Sequence, residues 1–99
     1  MKKLMLATAL FVSSFTAQAD TPTHFDLCMQ IHDAAHVTMQ LRQMGDSHYE
    51  MSKLAQGETT QRLVNDAFQV RVFGSDFLKM QAADRFAEEY FDRCVDGEF

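Results

Sequence analysis

The feature that most constrains the fold is a pair of cysteines, Cys28 and Cys94, the only two in this chain of 99 residues. An exported chain with two cysteines most economically forms one disulfide. Closing a loop of about 67 residues should destabilise the unfolded chain by about 4 kcal/mol on the chain-entropy model. That amount is comparable to the net stability of a small domain. We therefore predict that this bond fastens the first helix to the last.

Export is predicted from residues 1–19. A basic start and an apolar stretch over residues 2–12 precede Ala17-Gln18-Ala19, which fits an A-x-A cleavage site. We predict a signal peptide, cleavage after Ala19 and a single exported domain of residues 20–99. The apolar stretch is much shorter than the roughly 20 residues that a bilayer span needs, so no membrane span is expected.

The charge of residues 20–99 indicates which partners fit. They carry all 14 acidic residues but only seven of the nine basic ones, so the net charge is near −7. An acidic chain is a poor match for nucleic acid or for anionic lipid. It suits a basic protein surface, such as that of a basic effector enzyme, and association into a homodimer is left open.

Hydrophobic spacing predicts an all-α fold of four helices. The first helix covers residues 23–44, with Thr23 and Asp26 as a capping box and Gly45 as the C-cap. We expect its core face to be formed by residues at steps of three and four. These are Leu27, Ile31, Ala34, Ala35, Thr38 and Leu41, with Cys28 and Met39 beside them.

Three further helices are predicted after the first. Ser47 and Glu50 form a second capping-box pattern before a short helix that ends near Gln56-Gly57. Glu58-Thr59-Thr60 begins a third helix, and we assign Val70-Arg71-Val72-Phe73 to it because no partner strand is evident. The fourth helix covers residues 77–95. Its predicted stripe is Phe77, Met80, Ala83, Ala87, Tyr90 and Cys94.

The sharpest chemical pattern lies on the first helix. His32 and His36 are four residues apart and Met29 precedes them by one turn, so all three lie at one edge of the core face. Two imidazoles and a thioether suit a copper ion. The alternative is that these side chains border a small core, bound to water or to a neighbouring helix. The same histidines also allow an acid-responsive periplasmic chaperone, because histidine titrates in the acidic range.

Catalytic groups are sparse in the sequence. Both cysteines belong to the predicted disulfide, and no serine stands in a strained-turn motif. Glu88 and Glu89 are adjacent, and adjacent residues of a helix point about 100° apart, so they cannot flank one substrate. We predict that the chain is not an enzyme, and no cofactor is expected.

The acidic run of the last helix is usually a solvated face, but it also fits a docking surface for a basic groove. The residues that we predict to contact a protein partner are Tyr49, Asp84, Glu88, Glu89 and Asp92. Tyr90 and Phe99 are further aromatic candidates, since aromatic residues dominate binding hot spots.

A further pattern consists of Cys28, then Met39, Arg42-Gln43 and Gly45 as a Met-x-x-Arg-Gln-x-Gly helix end, the pair Ala67-Phe68, and Cys94. With these residues the chain resembles a group of small exported helical proteins of Gram-negative bacteria and their mobile elements. The resemblance implies a fold and a compartment more than an activity. In format, as an acidic, helical, disulfide-bonded exported protein, the chain also resembles the immunity proteins that protect bacteria from cell-wall-degrading effectors.

Arg42 lies on the inner half of the first helix. We expect it either to pair with an acidic residue or to bind carbonyl groups at the end of that helix. Overall, the sequence predicts a non-catalytic periplasmic protein that binds and occludes a protein partner, as an immunity-type inhibitor does. The alternatives are a copper binder, an acid-responsive chaperone and a purely structural accessory protein.

Overall fold

The structure is a computed structural model that describes residues 23–99. These residues form an all-α fold, as predicted. The helices are α1 (His24–Gln43), α2 (His48–Leu54), α3 (Glu58–Ala67) and α4 (Asp76–Val95). The predicted signal peptide and its cleavage site lie outside the described residues. In the described part of the chain, none of the four helices combines the length and apolar character needed to cross a bilayer.

The predicted disulfide between Cys28 and Cys94 is confirmed, with the two Cα atoms 5.5 Å apart. Cys28 lies in the second turn of α1 and Cys94 in the last turn of α4, so the two helices run antiparallel. The opposite ends of the pair meet where the Lys79 ammonium group donates to the Gln43 carbonyl oxygen at 3.1 Å. The α1–α4 contact is the most extensive in the fold.

Small residues let the helices approach closely at the core. Ala35 of α1, Ala67 of α3, and Ala83 and Ala87 of α4 are all fully buried. Larger side chains fill the space between these alanines, namely Met39, Leu63, Phe86 and Tyr90. The third helix therefore packs against one side of the α1–α4 pair. The short second helix packs mainly on α3.

Both ends of α1 follow the capping residues that the sequence indicates. The Thr23 hydroxyl accepts from the Asp26 backbone N–H, and the Asp26 carboxylate accepts from the Thr23 N–H, which completes the predicted capping box. Gly45 ends α1 with φ +97°. Its N–H donates to the Arg42 carbonyl, and the Asp46 N–H donates to the Leu41 carbonyl, which together form a Schellman motif. Gly45 thus ends α1 as predicted, although the C-cap residue itself is Met44 and the glycine follows it.

The predicted extension of the third helix through residues 70–73 is wrong, because α3 ends at Ala67. Side chains of α1 bind the backbone there instead. Arg42 Nε donates to the Val70 carbonyl at 3.1 Å. The Gln43 amide donates to the Arg71 carbonyl and accepts from the Phe73 N–H, both at 2.9 Å. These bonds satisfy backbone groups that a longer helix would have satisfied internally.

The predicted buried faces are wrong at four apolar positions. Leu27, Phe77 and Met80 are 44%, 67% and 59% exposed, and Ala34 is exposed as well. The reason is that α3 covers only one side of the α1–α4 pair, so the buried line on α1 follows Cys28, Ala35 and Met39. A large apolar surface therefore remains uncovered among residues 23–99.

Candidate protein-binding surface

The α1–α4 pair carries a broad surface on the side away from α3. On α1, Ile31 and Thr38 line cavities shared with α3 residues. Met29 and His36 are each two positions earlier, about 200° around the helix, and so point away from α3. We call this side the open face. Its members are Phe25, Met29, His32, His36, Phe77, Met80, Asp84, Glu88, Phe91 and Asp92.

Aromatic contacts hold the disulfide end of the open face. The Phe25 and Phe91 rings meet edge to face with centroids 5.7 Å apart. The His32 ring meets the same Phe91 ring at 6.2 Å, also edge to face. Phe25 is nevertheless 59% exposed. The rings thus form a fixed apolar platform that solvent still reaches.

At the other end of the open face, apolar side chains line a groove. Val37 and Met44 of α1 and Met80 of α4 border a cavity of about 440 Å³. Phe77 and Met80 border a smaller neighbouring cavity together with Asp84. Exposed apolar residues clustered in this way mark interaction sites more often than scattered ones do. The open face is therefore apolar at both of its ends.

Acidic residues of α4 run along the open face. Asp84, Glu88 and Asp92 follow one another at steps of four, which places them on one stripe of the helix. Asp84 accepts a hydrogen bond from His36 Nε2 at 2.9 Å. In the described part of the chain, no ion pair involves Glu88 or Asp92. Two negative charges are thus available to a partner.

A cavity of about 270 Å³ lies where the acidic stripe meets the aromatic platform. It is lined by Met29 and His32 of α1 and by Glu88, Phe91 and Asp92 of α4. An apolar floor with carboxylates at its rim suits a side chain that is both apolar and cationic, as arginine is. The structure therefore brings two predicted metal residues and two predicted partner-binding residues into one cavity.

The three predicted metal ligands make different contacts. Met29 and His32 share the cavity just described, and His32 Nδ1 lies 3.3 Å from the carboxylate of its neighbour Asp33. His36 Nε2 is instead occupied by Asp84 across the helix pair. A copper ion bound through His36 Nε2 would have to displace that carboxylate. The copper site stays a prediction.

Two of the predicted partner-binding residues lie apart from the open face. Glu89 points about 100° around α4 from Glu88. Tyr49 is 70% exposed on α2, where the Lys53 ammonium group lies 5.1 Å from its ring centroid. Because α2 packs mainly on α3, Tyr49 belongs to a different part of the surface.

The aromatic candidates near the C-terminus form a structural cluster. Tyr90 is only 1% exposed, so it is not available as an anchor. Its ring stacks on that of Phe99 with centroids 5.5 Å apart, and its hydroxyl donates to the Asp66 carboxylate of α3. Burial, followed by this hydrogen bond, raises the pKa of Tyr90 above its ordinary value.

Sequence reasoning missed the role of His24. Its Nε2 atom lies 2.9 Å from the Cys94 carbonyl oxygen and 3.6 Å from Cys28 Sγ. The signal was present, because His24 precedes Cys28 by four residues and so lies on the same face of α1. The imidazole therefore stands directly beside the disulfide.

No protein-family model, curated protein or solved structure matches this chain. The resemblance to small exported helical proteins thus stays a prediction. The structure does show where the residues of that pattern lie. Arg42 is stacked over the Phe68 ring at 4.3 Å, Gln43 binds the segment after α3, and Gly45 ends α1. We infer that this pattern encodes the fold.

Proposed function

We propose that this protein is a non-catalytic periplasmic binding protein that occludes a protein partner, as an immunity-type inhibitor of a toxic effector does. The observation that carries the proposal is the open face of α1 and α4. There, large apolar side chains stay exposed although they lie on the two best-packed helices. Phe77 and Met80 are 67% and 59% exposed, and a partner that covered them would remove this apolar area from water.

Charge complementarity favours a basic partner. Glu88 and Asp92 lie at the rim of the 270 Å³ cavity, and residues 20–99 carry a net charge near −7. Arginine of a partner would stack on Phe91 at the floor and pair with the carboxylates at the rim. A protein with a cationic cleft is therefore the expected occupant, since the acidic stripe would enter that cleft and exclude its substrate.

The non-catalytic part of the proposal rests on how reactive groups are used among residues 23–99. Both sulfur atoms belong to the disulfide, and the Tyr90 hydroxyl is bound to Asp66 inside the fold. His36 is bound to Asp84 on the open face. These groups stabilise the helix pair and its surface.

The proposal is tested by capture of the partner from periplasmic extract and by binding to the product of a neighbouring gene. We expect one tight partner whose activity falls when the chain is added in equal amount. Phe77→Ser combined with Met80→Ser should weaken binding by at least about tenfold, because two apolar anchors are lost. Glu88→Lys combined with Asp92→Lys should slow association by about tenfold at low salt.

The matched controls make the same kinds of change, loss of an apolar side chain and reversal of an acidic charge, away from the open face. Leu54→Ser alters a residue that is 74% exposed on α2, and Glu50→Lys reverses an acidic charge on the same helix. Both should leave affinity within about twofold, because these residues lie away from the open face. Equal binding by all four variants would place the contact elsewhere, and an active partner in the complex would exclude occlusion.

A further inference from the structure

His24 stands beside the disulfide in an arrangement that the proposed function does not use. In the region from residue 23 to residue 99, His24, Cys28 and Cys94 are the one set of three histidine, cysteine or acidic side chains whose ligand atoms all lie within 4.8 Å of one another. The two sulfur atoms come from different helices, and the imidazole stands one turn before Cys28 on α1. One imidazole nitrogen therefore lies 3.6 Å from Cys28 Sγ, beside two sulfur atoms that are bonded to each other.

The cluster of His24, Cys28 and Cys94 is open on the side of the imidazole. His24 and Cys94 both line a cavity of about 390 Å³ between α1, the start of α3 and the C-terminal residues. The two sulfur-bearing residues are buried, at 0% and 2% exposure. The cavity thus gives a water molecule or a small ion access to the imidazole side of the cluster, whereas the rest of the cluster is enclosed.

We propose that reduction of the disulfide converts this cluster into a zinc site with His24, Cys28 and Cys94 as ligands. Zinc prefers thiolate sulfur and imidazole nitrogen, at about 2.3 Å and 2.0–2.1 Å, so tetrahedral ligand atoms stand roughly 3.4–3.8 Å apart. His24 Nε2 already lies at that spacing from Cys28 Sγ, at 3.6 Å. After reduction the two sulfur atoms move apart to the same spacing, and His24 Nε2 exchanges its contact with the Cys94 carbonyl oxygen for the metal. The 390 Å³ cavity supplies the fourth position, which a water molecule fills. The metal then links α1 to α4 in place of the covalent bond.

The chemistry proceeds in two balanced steps. A dithiol reductant, or a phosphine with one water molecule, gives two electrons and two protons to the S–S bond, which breaks to form two thiols. The reductant leaves as a disulfide or as a phosphine oxide. Zn²⁺ then binds both sulfur atoms and His24, and the two thiol protons pass to solvent.

The test uses Co²⁺ as a spectroscopic substitute for zinc. The full mature chain is reduced with a phosphine, freed of excess reductant without oxygen, and titrated with Co²⁺. We expect one equivalent to produce a thiolate-to-cobalt charge-transfer band in the near ultraviolet, which Zn²⁺ then removes by displacement. The oxidised chain should give no such band, because its sulfur atoms are bonded to each other.

Variants separate this cluster from the other histidines. Cys28→Ser combined with Cys94→Ser should abolish the band. His24→Ala should weaken Co²⁺ binding by at least about tenfold. Loss of a hydrogen bond that only supports a metal ligand already lowers metal affinity by that factor, and loss of the ligand itself should lower it at least as much. His32→Ala is the matched control and should leave the titration unchanged. A reduced wild-type chain that gives no band, whether folded or not, would overturn the proposal. So would half an equivalent of Co²⁺ per chain, or a band that survives His24→Ala at full affinity.

Discussion

At one end of the α1–α4 pair a covalent bond joins Cys28 to Cys94, whereas at the other end hydrogen bonds from Arg42, Gln43 and Lys79 hold the chain. The covalent bond acts mainly by restricting the unfolded chain. The hydrogen bonds act on the folded state, because they satisfy backbone groups of an irregular segment. The disulfide needs only two cysteines at a suitable distance. The hydrogen bonds depend on every donor and acceptor being in place.

Removal of the disulfide should have the largest effect on the free energy of unfolding. Cys28→Ala combined with Cys94→Ala should lower the free energy of unfolding by about 4 kcal/mol, because the unfolded chain gains the entropy of an open loop. Urea denaturation followed by circular dichroism measures the change. Reduction of the wild-type chain without added metal should give a similar loss. A change below about 1 kcal/mol would show that the polar end alone keeps the two helices together.

A smaller effect is expected at the polar end. Gln43→Ala should lower the free energy of unfolding by about 2–3 kcal/mol, because the Arg71 carbonyl and the Phe73 N–H lose their partner. Gln40→Ala, an exposed change one turn earlier on α1, is the matched control and should cost under about 0.5 kcal/mol. Hydrogen exchange at the Phe73 amide should accelerate only in the Gln43 variant. Equal losses in both variants would contradict the proposed role of the segment after α3.

The smallest expected effect concerns a polar contact near the covalent end. The pKa of Tyr90 is raised above 10.0 in the folded chain, first by burial and then by its hydrogen bond to Asp66. The neutral phenol therefore contributes its full stability below pH 10, and this contribution is lost as the pH rises above 10 toward the folded pKa. Wild type should lose about 1.4 kcal/mol per pH unit in that range relative to Tyr90→Phe. Parallel stability curves for the two chains at high pH would contradict this prediction.

The contrast between the two ends also explains what the sequence could predict. The disulfide, the four helices and the caps at Thr23, Ser47 and Gly45 were predicted because each depends on local residue type and spacing. The segment after α3 was assigned to helix because its own residues allow that reading. Its conformation is decided by Arg42 and Gln43, about 28 residues earlier in the chain, and local spacing does not encode such contacts.

The candidate site shows the same division. The acidic stripe of Asp84, Glu88 and Asp92 followed from helical spacing alone. The open face did not, because Phe77 and Met80 have the spacing of core residues and only the placement of α3 leaves them exposed. The role of His24 was likewise missed, since it depends on a contact with Cys94 near the far end of the sequence. Contacts between distant residues were thus the part that the sequence did not reveal.

The bond between Cys28 and Cys94 has a consequence for a chain that a protease has cut. The linkers around Gly57 and Gly74 are exposed and are the natural places for a nick. A single cut at either place leaves both fragments attached through the sulfur bridge, so the segments that contain α1 and α4 cannot diffuse apart. The nicked molecule keeps both halves of its open face at the effective concentration of one chain.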